Sequence, residues 1–324
     1  MGISDLRDVS YIEEVDDDYV KGRDIVVDGN NWLYKYISTI TKYTEKREYT
    51  SDDGVELPNL IGIPKGLSKF SKFNINPYVI FDGGYEDLKQ DEVDRRKKKK
   101  KEAREKAKEH REKGDLVKSS LYESRSQSFT PEMIETSKEL LEILDINYLQ
   151  APKSAESQAA YMVSQESPYS LVYSLDYDSI LFGSPTTLRN FVSTKRDKEV
   201  LILSKTLDKH GISMNQLIDI AILCGTDYNE GVSGIGPKTS VKKIKQKGSI
   251  ENLDDEVLEK LTEDYDIIRK IFLEPDVDSD FSKDAEKPNP NIEEAVEYIE
   301  SKGIKIDDRV RDLEWSQSGL NSFL

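Results

Sequence analysis

Tyr78-Val79-Ile80-Phe81-Asp82 is a short apolar run closed by an aspartate, and the chain writes the same pattern twice more. Ile25-Val26-Val27 runs into Asp28. Leu171-Val172-Tyr173-Ser174-Leu175 runs into Asp176, with Asp178 two residues on. Such a run reads as a parallel strand buried on both faces. Helix-favouring stretches separate the runs, at Asn30–Thr41, Leu60–Phe73, Pro131–Leu144 and Glu156–Gln165. This alternation predicts an α/β fold with a doubly wound, mostly parallel sheet. Ligands bind outside the carboxyl ends of such strands, so these aspartates are expected along one edge.

The candidate carboxylates are Asp28, Asp82, Glu156, Asp176, Asp178 and Asp227. Crowded carboxylates raise one another's pKa unless cations hold them. Hard oxygen donors suit Mg²⁺, with Mn²⁺ as a substitute. In Asp176-Tyr177-Asp178, read as extended, residues i and i+2 face one side and can share an ion. Two such cations can activate a water and stabilise the leaving oxygen of an in-line displacement, which points to phosphodiester chemistry. The plain alternative for any one aspartate is a helix cap, but capping does not require convergence on one edge.

Charge is unevenly spread. The 324 residues carry 47 Lys+Arg against 63 Asp+Glu, a net −16. Between Lys89 and Arg125 there are 15 basic and 9 acidic residues, whereas Glu251–Leu324 has 9 basic and 22 acidic. A basic arm thus sits in an acidic molecule. If the arm is helical, Lys89 and Arg96 lie two turns apart on one face, placed to offset charge on a phosphate. The acidity reads either as a surface built for a salt-rich cytoplasm or as ordinary acidic composition. One cysteine, Cys224, allows no internal disulfide and reads as a buried core thiol. No secretory or membrane-spanning run is evident, so a cytoplasmic protein is expected.

After about Lys205 the strand signal stops and helices follow. Gly231-Val232-Ser233-Gly234-Ile235-Gly236-Pro237-Lys238 is a glycine-rich turn opening a helix. Free N–H groups at that helix start, with Lys238, suit a DNA phosphate. Tyr34, six residues after Asp28, could stack on a base or simply fill the core.

Taken together, these residues resemble the flap endonuclease family of structure-specific 5′ nucleases, archaeal type. The motifs are Val79-Ile80-Phe81-Asp82-Gly83, Ala151-Pro152 with Glu156, Asp176-Tyr177-Asp178-Ser179, and Gly225-Thr226-Asp227-Tyr228 followed by Gly234-Ile235-Gly236-Pro237-Lys238. Asn31-Trp32-Leu33-Tyr34 and Leu60-Ile61-Gly62 look like members from salt-loving archaea. The resemblance implies an Mg²⁺-dependent enzyme, with two ions on the six carboxylates, that cuts branched DNA at a 5′ flap in replication and repair. Lys89 and Arg96 would act on the scissile phosphate, Tyr34 would stack near the cut, and Arg125 would join a helical arch over about 84–130. Gly234, Gly236 and Lys238 would grip the duplex in a helix-hairpin-helix, with K⁺ bound there. Residues 1–204 would form the nuclease core, 205–313 the helical module and 314–324 a tail. In the tail, Gln317, Leu320, Phe323 and Leu324 resemble a sliding-clamp-binding motif, on a chain expected to be monomeric. The family pattern carries a glutamate two residues before Glu156, where this chain has Ser154, so weaker metal binding or slower turnover is expected. The alternatives are a 5′-to-3′ exonuclease or bubble-cutting relative, or a junction- and clamp-binding protein with little catalysis.

Overall fold

The computed structural model describes residues 6–84, 129–193, 196–261, 264–283 and 286–317, with scattered positions between 98 and 118. Strand β2 (Asp24–Asp28) is β-branched through Ile25-Val26-Val27 and buried on both faces. Its side chains alternate as a pleat demands: Ile25 and Val27 enter one core, Val26 another. Short β1 (Ile12–Val15) precedes it, after the one-turn helix α1 (Leu6–Val9). Both fall in a segment that reads as irregular in sequence. Four residues carry too little periodicity to announce a strand, and β1 exists because it pairs antiparallel with a distant partner, β7 (Lys198–Ile202).

The strands β3 (Asn76–Phe81), β4 (Tyr148–Gln150), β5 (Leu171–Tyr173) and β6 (Thr186–Arg189) complete a seven-stranded sheet in the order β1-β7-β6-β5-β2-β3-β4. The pairs β6–β5, β5–β2, β2–β3 and β3–β4 are parallel, and only β1–β7 and β7–β6 are antiparallel. The chain winds outward from β2 through β3 and β4, then returns to β5 on the other side of β2. That reversal is a topological switch point, the usual place for a site in an open sheet.

Helices cover both faces. On one lie α2 (Gly29–Tyr43), α3 (Asn59–Lys72) and α4 (Pro131–Ile143), burying Trp32, Leu33, Leu60, Phe70, Leu140 and Leu141. Thr130 caps α4 by accepting from the Met133 N–H, with Pro131 at the first helical position. On the other face lies α5 (Ala155–Ser164), whose Ala155, Ala159 and Met162 pack on Val26, Ile80 and Val172.

Helices α6 (Leu203–His210), α7 (Met214–Cys224), α8 (Pro237–Lys247), α9 (Asp255–Leu258) and α10 (Tyr265–Leu273) follow. Much of this stretch forms a second core with Leu6, Val9, Ile180 and Leu201. A Ser213–Gln216 capping box starts α7, and the buried Asp219 pairs with Arg269 of α10. Helix α11 (Ile292–Ser301) and residues up to Trp315 return to the first core, where the indole of Trp315 donates to the Ile75 carbonyl. Cys224 is half-buried, its sulfur 3.3 Å from the Ser240 hydroxyl, because it sits at the last residue of α7.

Candidate metal centre

Of three adjacent strands, β2 ends at Asp28, β3 ends one residue before Asp82, and β5 ends three residues before Asp176. Neighbouring strands lie about 4.8 Å apart, so Asp176, Asp28 and Asp82 are brought to one edge by the register itself. Asp28 ends β2 and caps α2, accepting from the Asn31 N–H at 3.0 Å. The cap reading and the site reading of Asp28 are therefore both satisfied by one side chain. Its other oxygen accepts from the Ser174 hydroxyl at 3.3 Å. Asp82 accepts at 2.9 Å from the Ala155 N–H, at the start of α5. That bond ties β3's end to the helix turn that carries Glu156. Asp176 accepts from the Asn31 side-chain amide at 2.7 Å, and its own N–H donates to Ser174.

Asp28 feels the other two carboxylates. Burial pushes the Asp28 carboxyl up to about 8, and the fields of Asp82 and Asp176 act in the same direction. The hydrogen bonds from Asn31 and Ser174 oppose the shift without cancelling it. A buried carboxyl whose ionisation is opposed by burial and by two acidic neighbours is a site that a cation relieves. Among the described residues, no three acidic, His or Cys side chains converge closely enough to chelate an ion outright. The donor set is nevertheless all oxygen. An open arrangement fits Mg²⁺, which keeps several waters and takes one or two carboxylates directly.

Asp178 lies elsewhere than an extended segment would put it. Tyr177 has φ −94° and ψ −12°, and Asp178 opens a 3-10 turn through Ile180. The i, i+2 relation of an extended segment does not hold here. The turn is imposed from behind: the Ser179 hydroxyl bonds that of Thr187 at 2.7 Å, and Arg189 holds the Leu175 carbonyl. Asp178 is buried within this turn, at 5% exposure. Asp227 sits in the turn after α7, closed by bonds between Thr226 and Asn229. The adjacent Tyr228 lines a cleft shared with Asp82, Gly84, Ser154, Ser157 and Asp276.

Ser154 has a local task. It is the N-cap of α5 and accepts from the Ser157 N–H at 3.2 Å. Tyr34 projects from α2 and is partly exposed. Gly234 has φ +83°, open to glycine and strained for other residues, whereas Gly236 at φ −96° is an ordinary N-cap to α8. Lys238 is exposed in the first turn of α8. Gln317 donates to the carbonyls of Lys287 and Pro288 in its own chain. Lys89, Arg96, Arg125, Leu320, Phe323 and Leu324 lie outside the described residues.

Sequence reasoning missed Asn30 and Asn31. The side-chain oxygen of Asn30 accepts from the Asp82 N–H at 3.2 Å, and Asn31 reaches Asp176. Paired amides straight after a strand-ending aspartate were the available signal. From the first turn of α2 they address both strands that flank β2.

Residues 1–103 match the XPG N-terminal domain and residues 145–227 the XPG I-region. The chain is 37% identical over 299 residues to flap endonuclease 1 of Haloarcula marismortui, covering 92% of this chain and 90% of that one. It is 35% identical to flap endonuclease 1 of Methanothermobacter thermautotrophicus, over 96% and 94% of the two chains. The structure of flap endonuclease-1 from Methanococcus jannaschii superposes with a TM-score of 0.73 at 31% identity, covering 96% of each chain. The Rad2 catalytic core, described in complex with DNA substrate, shares the fold at a TM-score of 0.70 and 20% identity. With both halves of its nuclease sheet matched and relatives aligned over nearly its full length, the chain belongs to the XPG and flap endonuclease family of nucleases.

Proposed function

We propose that this chain is a divalent-metal-dependent nuclease that hydrolyses phosphodiester bonds where a single-stranded 5′ flap leaves duplex DNA, in primer removal and repair. The observation that carries this reading is the gathering of Asp28, Asp82 and Asp176 at the ends of three adjacent strands, in a chain of this family. Mg²⁺ or Mn²⁺, when bound there, supplies a polarised water and positive charge beside the leaving oxygen. The chain's own residues hold and orient. Asp28, Asp82, Glu156, Asp176, Asp178 and Asp227 offer oxygens, while Asn30 and Asn31 keep the ends of β3 and β5 in register with β2. Lys89 and Arg96 would steady the phosphate, Arg125 would belong to an arch over about 84–130, and Tyr34 would stack beside the cut.

The turn between α7 and α8 would hold the duplex through backbone N–H groups and Lys238, with K⁺ at the hairpin. Such contacts read no sequence, as a junction enzyme requires. The tail from Gln317 would reach a sliding clamp once its amide leaves Lys287 and Pro288. No helix among the described residues is long and apolar enough to cross a membrane. A panel of labelled substrates tests the reading: 5′ flap, 3′ flap, bubble, nicked duplex and single strand. Dominant cutting at the 5′ flap junction is expected; equal cutting of bubbles or simple 5′ ends would move the chain to the runner-up nucleases.

Ser154→Glu gives a split result on this reading. An added carboxylate in the cleft beside Asp82 lowers the Mg²⁺ needed for half-maximal cutting. The lost cap lowers stability by about 1 kcal/mol. A Mg²⁺ titration and a melting curve read the two effects separately, and an unchanged Mg²⁺ requirement would remove Ser154 from the metal account.

A further inference from the structure

We infer that Arg189, oriented by Glu199, is a positioning residue for the loop that carries Asp176 and Asp178, with Arg7 bracing the pair from helix α1. The inference rests on the metal-dependent nuclease reading above. Arg189 is the last residue of β6 and is buried. Its Nε donates to the Leu175 carbonyl at 3.1 Å, and Nη2 donates to the same oxygen. Its guanidinium carbon lies 3.6 Å from the centroid of the Tyr177 ring. Leu175 and Tyr177 are the two neighbours of Asp176. One guanidinium therefore grips the chain on both sides of a candidate metal ligand and at the entrance to the turn that holds Asp178.

Arg189 is itself fixed. Glu199 lies directly opposite it in the antiparallel β6–β7 pair and accepts from its Nη1 at 2.8 Å. Arg7 then donates to both oxygens of Glu199, at 3.0 and 3.2 Å, and to the Tyr177 hydroxyl at 2.7 Å. Two guanidiniums share one carboxylate, and positive charge is left facing the loop. Replacing a buried ion pair with apolar groups is often neutral for stability, so what this pair contributes here is the geometry it imposes on the loop. Lysine could not substitute, because a point ammonium makes no planar stack and no fork. The cluster is far from the sheet edge in sequence and shows no motif, which is why composition and spacing gave no hint of it.

The test is Arg189→Lys, read by two measurements. Free Mn²⁺ is followed by electron paramagnetic resonance during titration of the protein without DNA, and steady-state cutting of a 5′ flap gives kcat and KM. Supporting groups behind metal ligands commonly change affinity or activity by about 10-fold or more. The expected result is about tenfold weaker Mn²⁺ binding and about tenfold lower kcat, with KM for DNA unchanged. Should Arg189→Lys not fold, Tyr177→Leu removes the ring beneath the guanidinium while keeping the Arg189–Glu199 pair, and the same direction is expected. A folded variant with native Mn²⁺ affinity and native kcat would overturn the proposal. If the native chain binds Mn²⁺ yet cuts no flap, the functional reading falls, and the ratio of Mn²⁺ constants still decides the positioning role.

Discussion

Asp28→Asn is expected to melt at a higher temperature than the native chain in EDTA at pH 8, and to cut no DNA. The stability gain follows from the site's own repulsion. An unfolded aspartate titrates near about 4, whereas burial and the fields of Asp82 and Asp176 push the folded group up to about 8. Between those values the folded chain holds a proton that the unfolded chain has released. Stability therefore falls as pH rises through this window, and the full penalty is present above pH 8. Asparagine carries no charge and caps α2 as well as aspartate does, so the Asn31 N–H keeps an acceptor. After allowance for water and relaxation, a gain of about 2 kcal/mol at pH 8 is expected, shrinking toward zero near pH 4. Added Mg²⁺ should reverse the order by stabilising the native chain more than the variant. Turnover should fall by about 1,000-fold or more, the scale of several kcal/mol of lost charge stabilisation. Melting curves at pH 5 and 8, with and without Mg²⁺, check the whole pattern.

Gly83→Ala should damage both fold and site, for a reason of space. A Cβ on Gly83 would stand 1.8 Å from the Ala151 carbonyl oxygen and 2.8 Å from that of Pro152. Both obstacles are backbone and cannot swing away. The same two segments are joined by the Gly83 N–H to the Lys153 carbonyl and the Gly84 N–H to that of Pro152. Forcing them apart pulls Asp82 from the Ala155 N–H, and with it the start of the helix that carries Glu156. Overpacking of this kind costs about 3 kcal/mol, a drop in Tm of about 6 °C or more. Cutting at saturating Mg²⁺ should fall well beyond what the lost stability explains. Gly54→Ala is the matched control: its φ of +82° is strained for alanine, but a Cβ there meets nothing within 4 Å. A Gly83→Ala protein with native Tm and native turnover would show that the 82–84 and 151–153 segments are not coupled to the site.

The sheet was legible because it is local chemistry repeated. Each buried parallel strand is a short apolar run, and the run gives way at or shortly after its end to an aspartate. That logic places Asp28, Asp82 and Asp176 without any contact map. It fails where neighbours far along the chain decide the backbone. The turn at Asp178 is made by Thr187 and Arg189, and nothing in Asp176-Tyr177-Asp178 announces it. Strand β1 exists only through its pairing with β7. Residues 292–315 look like more of the helical module, yet they return to the first core, because amphipathic periodicity tells which face is apolar and not what covers it. Ser154 was legible as a missing carboxylate but not as the cap it provides for α5.

The most direct measurement is cleavage of a 5′-labelled double-flap DNA during a Mg²⁺ titration, repeated from low to molar KCl, beside Asp178→Ala. Cuts at the flap junction are expected that need the divalent ion, saturate with it and vanish in the variant. Tight junction binding with no cut at any Mg²⁺ or salt concentration, or cutting that survives both EDTA and Asp178→Ala, would contradict this expectation.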